Sequence, residues 1–510
     1  VSTAWWRDAV IYQVYPRSFA DADGDGIGDI AGIRSRLGHL RDLGVDAIWT
    51  SPWYPSPMAD AGYDVADFRD IDPVFGTLAE ASALITEAHE ANIRIIIDIV
   101  PNHVSSKHPW FQKALAGEGR DRFWFRNEPT NWTGEFGGKT WTRLPDESWY
   151  LHLFTPEQPD LNWDNPEVRA EFESILRFWF DRGVDGIRID SAALLVKDPA
   201  LPEVVDGEPH PFHDLDAVHD IYRSWRRIAD AYPEKALIGE VWMPDVTRFT
   251  NYLRPDELHA AFNFDFLGCA WDATLMRACI DRTLAAHATV GAPPTWVLSN
   301  HDVTRHVTRY GRADTTFSFD NNLDGTPVDL ALGTRRARAA ALLTLSLPGA
   351  TYVYQGEELG LGEHEGIPED LVQDPMFARR GHTRDGCRVP LPWSGDEAPF
   401  GFSGSAVELW LPQPAEWKGL TVQAQTGDPG SMLELYRTAI RLRRGFRDAP
   451  MDWVGTGAGV LAYTRGPDLV VALNLSERAV ALPDHTSVLL TSAPLDGDLL
   501  PPDTAVWLRR

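Results

Sequence analysis

Gly186-Ile187-Arg188-Ile189-Asp190 is a short β-branched run that ends on a carboxylate, and Phe172, Ile175, Phe178 and Trp179 precede it at helical spacing. A run this apolar is stable only when both of its faces are covered, which is the situation of a strand inside a parallel sheet. The same unit recurs along the chain. Comparable runs lie at Val10–Tyr15, Ala47–Pro52, Arg94–Val100, Ala236–Val241, Ala261–Phe266, Thr295–Ser299 and Thr351–Gln355. Leu78, Ala81, Ile85 and Ala88 form the helical face ahead of the Arg94 run. Eight strand–helix repeats predict an α/β protein built on a (β/α)8 barrel of the TIM type rather than an open sheet.

Two stretches break the rhythm. From Val104 to about Trp163 the chain is rich in Trp, Phe, Gly, Asn and Pro, which predicts a small domain inserted after the third strand. A second irregular insertion follows the eighth strand at about 360–428, and Met432–Arg444 reads as the last barrel helix. Beyond it, Gly459–Thr464, Leu469–Leu475, Arg478–Leu482 and Val488–Leu490 read as a C-terminal antiparallel β domain. The expected organisation is thus a barrel over 1–103 and 166–447, an inserted domain at 104–165 and a β domain at 448–510.

The 510 residues are 44% hydrophobic, which supplies a large core. Acidic residues outnumber basic ones by 74 to 47, a net charge of −27 with histidine neutral. A field of that sign repels phosphate backbones and anionic lipid, so neither a nucleic acid nor a membrane is expected as a partner. No stretch approaches the roughly 18 continuous apolar residues of a membrane span. Val1–Arg7 has neither a basic nor an apolar signal region, and the three cysteines form no CxxC pair. These features predict a cytoplasmic protein, as a monomer or homodimer.

The placement of acidic residues points to chemistry. Asp190 ends the fourth run, Glu240 the fifth, and Asp302 closes the seventh, in Leu298-Ser299-Asn300-His301-Asp302. In a parallel barrel the C-terminal strand ends share one face, so these distant carboxylates converge there. Converging carboxylates without a nucleophilic Ser or Cys motif suggest glycoside cleavage, in which one carboxylate attacks the anomeric carbon and a protonated one assists the leaving oxygen. Arg188, two residues before Asp190 and on the same side of the strand, is suited to keeping Asp190 ionised. The apolar setting of Glu240 beside Val241 and Trp242 is suited to raising its pKa.

These motifs resemble the α-amylase superfamily of glycoside hydrolases (family 13), and within it the oligo-1,6-glucosidase/α-glucosidase branch. Asp98-Ile99-Val100-Pro101-Asn102-His103, Gly186–Asp190, Gly239-Glu240-Val241-Trp242 and Ser299–Asp302 are similar to the family's four signature strands, in order. The resemblance implies Asp190 as nucleophile, Glu240 as general acid/base and Asp302 as stabiliser of the transition state. It further implies that His103 and His301 bind glucose hydroxyls, Arg188 orients Asp190, and Tyr63 stacks on the sugar. Asp60 and Arg388 would grip the non-reducing-end glucose. The implied activity is a retaining exo-α-glucosidase on short oligosaccharides or small glucosides. Ser191, where α-1,6-preferring members carry Val, resembles the α-1,4-preferring ones. The alternatives are a transglucosylase, a trehalose synthase or a sucrose-acting enzyme using the same site.

A separate motif, Asp21-Ala22-Asp23-Gly24-Asp25-Gly26-Ile27-Gly28-Asp29, spaces its carboxylates like the start of an EF-hand loop. The closing bidentate Glu is missing, since Gly32 stands there. The loop is similar to one that carries a structural Ca²⁺ in this branch. The expected ligands are Asp21, Asp23, Asp25, the Ile27 carbonyl and Asp29, with Mg²⁺ as the other candidate cation.

Overall fold

The computed structural model describes residues 4–510; Val1–Thr3, part of the N-terminal stretch read above, lie outside the described residues. Eight parallel strands form one sheet: β1 (Val10–Val14), β2 (Ala47–Thr50), β3 (Arg94–Ile99), β4 (Gly186–Ile189), β5 (Ala236–Gly239), β6 (Ala260–Ala261), β7 (Thr295–Val297) and β8 (Ala350–Tyr354). The hydrogen-bonded order runs β7-β8-β1-β2-β3-β4-β5-β6, so the barrel is nearly closed. At its seam the Thr295 hydroxyl donates to the Ala261 carbonyl at 2.5 Å. Among the described residues no helix is long and apolar enough to cross a membrane.

The helices form where the sequence supplies both a start signal and an apolar stripe. Thr77 and Glu80 make a reciprocal capping box at the head of Leu78–Glu90, whose Ala81, Leu84, Ile85 and Ala88 are buried. Asn165 caps Pro166–Asp181, which buries Phe172, Ile175 and Trp179 together with Leu176 and Phe180. Phe178, assigned to that stripe from its spacing, is only half-buried.

The sixth strand differs from the sequence reading. It stops at Ala261, and Phe264–Leu267 is a short helix whose first turn is capped by the Asn263 side chain. An apolar run alone does not separate strand from helix, and Asn263 is the local signal that does. After β3, the inserted segment carries a small antiparallel sheet in which Trp149–Leu151 pairs with both Phe125–Arg126 and Trp141–Arg143. After β8, residues 360–428 hold only short helical turns, including Pro375–Arg380 and Asp385–Cys387.

Met432–Arg443 packs on Leu330–Ser346. The C-terminal sheet runs Met451–Trp453, Val460–Arg465, Leu469–Asn474, Thr504–Arg509, Ser487–Thr491. Thr504–Arg509, absent from the sequence reading, lies inside this sheet and docks it on the barrel, where Trp507 Nε1 donates to the Leu342 carbonyl at 3.1 Å.

Candidate active site

The C-terminal strand ends deliver the carboxylates. The backbone N–H of Asp190 donates to Ile99 O and that of Glu240 to Ile189 O, both at 2.9 Å, so each continues the sheet ladder one residue beyond its strand. After β7 the Asn300 side chain accepts from the Asp302 N–H at 2.8 Å and turns that residue inward. A cavity of about 280 Å³ results, lined by Asp60, Tyr63, His103, Asp190, Ser191, Glu240 and Asp302, with Glu135, Phe136, Phe154, His213, Trp242, Phe319, Met376, Arg380 and Arg384 among its other walls.

Arg188 lies beneath this floor. Its Nη1 donates to Asp98 Oδ1 at 3.0 Å and to Asp190 Oδ1 at 2.6 Å. Its Nη2 stands 2.9 Å from Glu240 Oε2. One buried guanidinium thus serves three carboxyls, and the low dielectric forbids ionising all three freely. Burial, offset by Arg188, pushes Asp190 up to about 6 and Glu240 up to about 7. Asp98, deeper still, is pushed up to about 7 by burial. Asp190 also accepts from Ser191 Oγ at 3.0 Å, and Ser191 holds a left-handed backbone (φ 48°) that aims its N–H at Glu240 Oε2 at 2.9 Å.

The opposite wall carries the reverse balance. Arg384 donates from Nη2 to Asp60 Oδ1 at 2.9 Å, from Nη1 to Asp302 Oδ1 at 2.9 Å, and from Nε to Asp374 Oδ2 at 2.9 Å. Burial opposes ionisation of Asp302, but the surrounding His301, Arg384 and Arg388 overcome it and hold the carboxyl far below its usual range. Asp60 is pushed up to about 6 by burial, against Arg384. The three carboxyls delivered by the strand ends are therefore unlike: Asp302 is held in its ionised form by its cationic neighbours despite burial, Asp190 is raised, and Glu240 is raised furthest and so is the readiest of the three to hold a proton at neutral pH.

A family model described as the catalytic domain of α-amylase matches residues 13–448. The chain belongs to the α-amylase family of glycoside hydrolases. A second model, for a domain of unknown function, matches residues 449–507. The chain is 36% identical to a Rhizobium meliloti protein named "Probable alpha-glucosidase", over 93% of this chain and 90% of that one. It is also 36% identical to the trehalose-6-phosphate hydrolase of Escherichia coli, over 88% and 85% of the two chains. Among solved structures it superposes on an α-glucosyl transfer enzyme with a TM-score of 0.87 at 33% identity, covering 100% of both chains.

Of the six residues singled out from sequence for substrate binding in this α-amylase-family chain, Asp60, Tyr63, His103, Arg188, His301 and Arg388, only three line the cavity. Asp60, Tyr63 and His103 line the cavity. His301 and Arg388 lie one layer behind it: His301 stacks under Tyr63 with ring centroids 5.2 Å apart, and Arg388 donates to the His301 carbonyl (2.7 Å) and to Asp302 (3.0 Å). The arginine paired with Asp60 is Arg384, which sequence reasoning missed. Its signal was present, in Arg384-Asp385-Gly386-Cys387-Arg388, where two arginines four apart flank one helical turn and are interchangeable on paper. Gln158, which donates to Asp60 Oδ2 at 3.0 Å, and Trp242 were also missed.

In the first loop, Asp21, Asp23 and Asp29 each offer an oxygen within 4.8 Å of the others. Asp25 stands outside that group; its Oδ1 accepts from the Ile27 N–H at 2.8 Å. Asp21 and Asp29 are buried and already fold the loop around themselves, accepting from Gly26 and Ala22 N–H groups, each at 2.9 Å.

Proposed function

We propose that the chain is a retaining, exo-acting α-glucosidase that removes glucose from the non-reducing end of short α-glucosides, with α-1,4 linkages preferred. The observation that carries this reading is the Arg384 bridge between Asp60 and Asp302 in the wall of the cavity that holds Asp190 and Glu240. A fork of donors and acceptors at that point suits the hydroxyls of a terminal sugar, and a cavity near the low end of small-ligand pockets suits a short substrate. Asp190 would attack the anomeric carbon while Glu240 protonates the leaving oxygen. Glu240, then ionised, would take a proton from water as that water displaces Asp190, giving net retention. Ser191 beside the nucleophile supports the α-1,4 preference.

Product analysis by NMR with maltose tests this. Free α-glucose as the first-formed product at low and high maltose is the expected result. A trisaccharide or a new disaccharide dominating from the start would replace hydrolysis by transfer. That second reading has its own support in the overlap with an α-glucosyl transfer enzyme and in the aromatic wall of Trp242 and Phe319, where an acceptor sugar could compete with water.

The pKa order gives a pH prediction. Activity needs Asp190 ionised and Glu240 protonated, so kcat/KM should fall on the acid side as Asp190, pushed up to about 6, gains a proton. It should fall on the basic side as Glu240, pushed up to about 7, loses one. The expected profile is a narrow bell between these values, whose limbs belong to the coupled pair. A plateau reaching well above pH 8 would contradict the assignment of Glu240 as acid.

We also propose a structural Ca²⁺ at Asp21, Asp23 and Asp29, a hard-oxygen donor set that fits Ca²⁺ and, less selectively, Mg²⁺. The ion would offset repulsion among these carboxylates and brace the loop after β1. Removing it with a chelator should lower the melting temperature by roughly 3 °C, restored by Ca²⁺, with little loss of activity at 25 °C. Calorimetry that finds no change on chelation would remove the ion from the account.

A further inference from the structure

Glu240 uses its two oxygens differently. Oε2 accepts from the Ser191 N–H at 2.9 Å and faces Arg188 Nη2 at 2.9 Å. Among the described residues Oε1 accepts from one group, the indole Nε1–H of Trp242 at 2.9 Å. An oxygen already facing two donors is a poor seat for a proton, so the acidic hydrogen belongs on Oε1. There the indole occupies one lone-pair direction and leaves the other for the O–H bond. The indole itself is immobilised: its ring lies flat on Phe264, with centroids 3.6 Å apart and planes 1° from parallel, and edge-on to Phe319 at 4.9 Å.

We propose that Trp242 is a positioning residue for proton transfer, fixing the direction of the Glu240 O–H and stabilising the carboxylate that the departing proton leaves behind. This rests on reading Glu240 as the acid of an α-glucosidase. In the cleavage step the proton passes from Glu240 Oε1 to the glycosidic oxygen, which keeps the electron pair of the breaking bond. The N–H···O contact to a neutral acid then becomes an N–H···O⁻ contact, roughly twice as strong, so the gain appears mainly as charge develops. No other single contact of Oε1 does this. Arg188 serves Asp98 and Asp190 as well as Glu240, whereas the indole serves Glu240 alone.

The test compares maltose, whose sugar leaving group needs its proton, with α-glucosyl fluoride, whose fluoride needs little help. Trp242→Phe keeps a ring between Phe264 and Phe319 but removes the N–H. It should lower kcat/KM on maltose about 30-fold and on the fluoride by less than about 3-fold. The basic limb of the maltose profile should move to higher pH, because the carboxylate loses a donor while Arg188, Asp98, Asp190, Asp302 and Glu135 still face it. Phe264→Ala, which loosens the indole without deleting it, should show the same substrate asymmetry at smaller amplitude, and it keeps the question open to test if Trp242→Phe does not fold. Equal losses on both substrates with an unmoved basic limb would reduce Trp242 to a wall of the cavity. A wild-type enzyme inert on both glucosides would overturn the α-glucosidase reading and this role with it.

Discussion

Asp190→Ala should abolish turnover of α-glucosides, with kcat reduced ~10⁴-fold or more, while the fold is retained. Asp190 is one of three carboxyls sharing Arg188, and its removal leaves the guanidinium still paired to Asp98 and facing Glu240. Deleting one of three competing buried negative charges relieves repulsion instead of creating an unpaired charge, so the melting temperature should stay within a few degrees of wild type. The chemistry is a different matter. Without the nucleophile proposed for Asp190 no covalent sugar ester would form, and Glu240 would protonate a leaving group that nothing displaces. Added azide fits the space vacated by the carboxylate and should restore turnover in part, attacking from the face that Asp190 used. One displacement on an α-glucoside then yields β-glucosyl azide, identifiable by NMR. Recovery of the α-anomer, or activity in Asp190→Ala equal to wild type, would sink the double-displacement mechanism.

The barrel and the convergence of Asp190, Glu240 and Asp302 on one cavity were legible because both rest on one-dimensional signals. Strands such as Arg94–Ile99 and Gly186–Ile189 are buried on both faces and read as unbroken apolar runs. A carboxylate one residue past such a run must emerge at the common C-terminal face, whatever the loops do. The signature motifs then resemble a known family, and the match to its catalytic-domain model over residues 13–448 bears that out. What stayed hidden depends on side-chain direction in irregular chain. Arg384 and Arg388 flank a turn of three residues, and which guanidinium meets Asp60 is decided by packing between two insertions that share no periodicity. Trp242 was legible as an apolar neighbour of Glu240, but its N–H reaches back to that carboxyl only because Phe264 supports the ring, and Phe264 was itself read as part of a strand. Thr504–Arg509 escaped for the opposite reason: it is a strand of six residues near the end of the chain, and only its partners on either side show it to be interior to its sheet.

Arg384→Ala should be severely damaging at the site, although Arg384 touches neither Asp190 nor Glu240. Its guanidinium holds Asp60, Asp302 and Asp374 from three separate elements, and all four groups are buried or nearly so. Burial opposes ionisation of Asp374, yet Arg384 brings that carboxyl down to about 2. Removing the arginine leaves buried carboxylates without their cation, and breaking such a pair costs about 3–5 kcal/mol. Part of that cost is avoided by protonation of Asp60, already pushed up to about 6 by its surroundings. A protonated Asp60 and a displaced Asp302 no longer present the pattern of donors and acceptors proposed to grip the terminal glucose. We expect kcat/KM on maltose to fall ~10³-fold, with a lowered melting temperature. Arg384→Lys should recover little, since one ammonium cannot satisfy three carboxylates set around a planar fork. Arg388→Lys separates the two arginines: Arg388 gives one bond to a carbonyl and one to Asp302, so its loss should cost less than that of Arg384. A double-mutant cycle between Arg384→Ala and Asp60→Asn measures the bridge directly. Strong coupling places Asp60 and Arg384 in one binding unit, and additive losses would mean that the arginine serves only the fold.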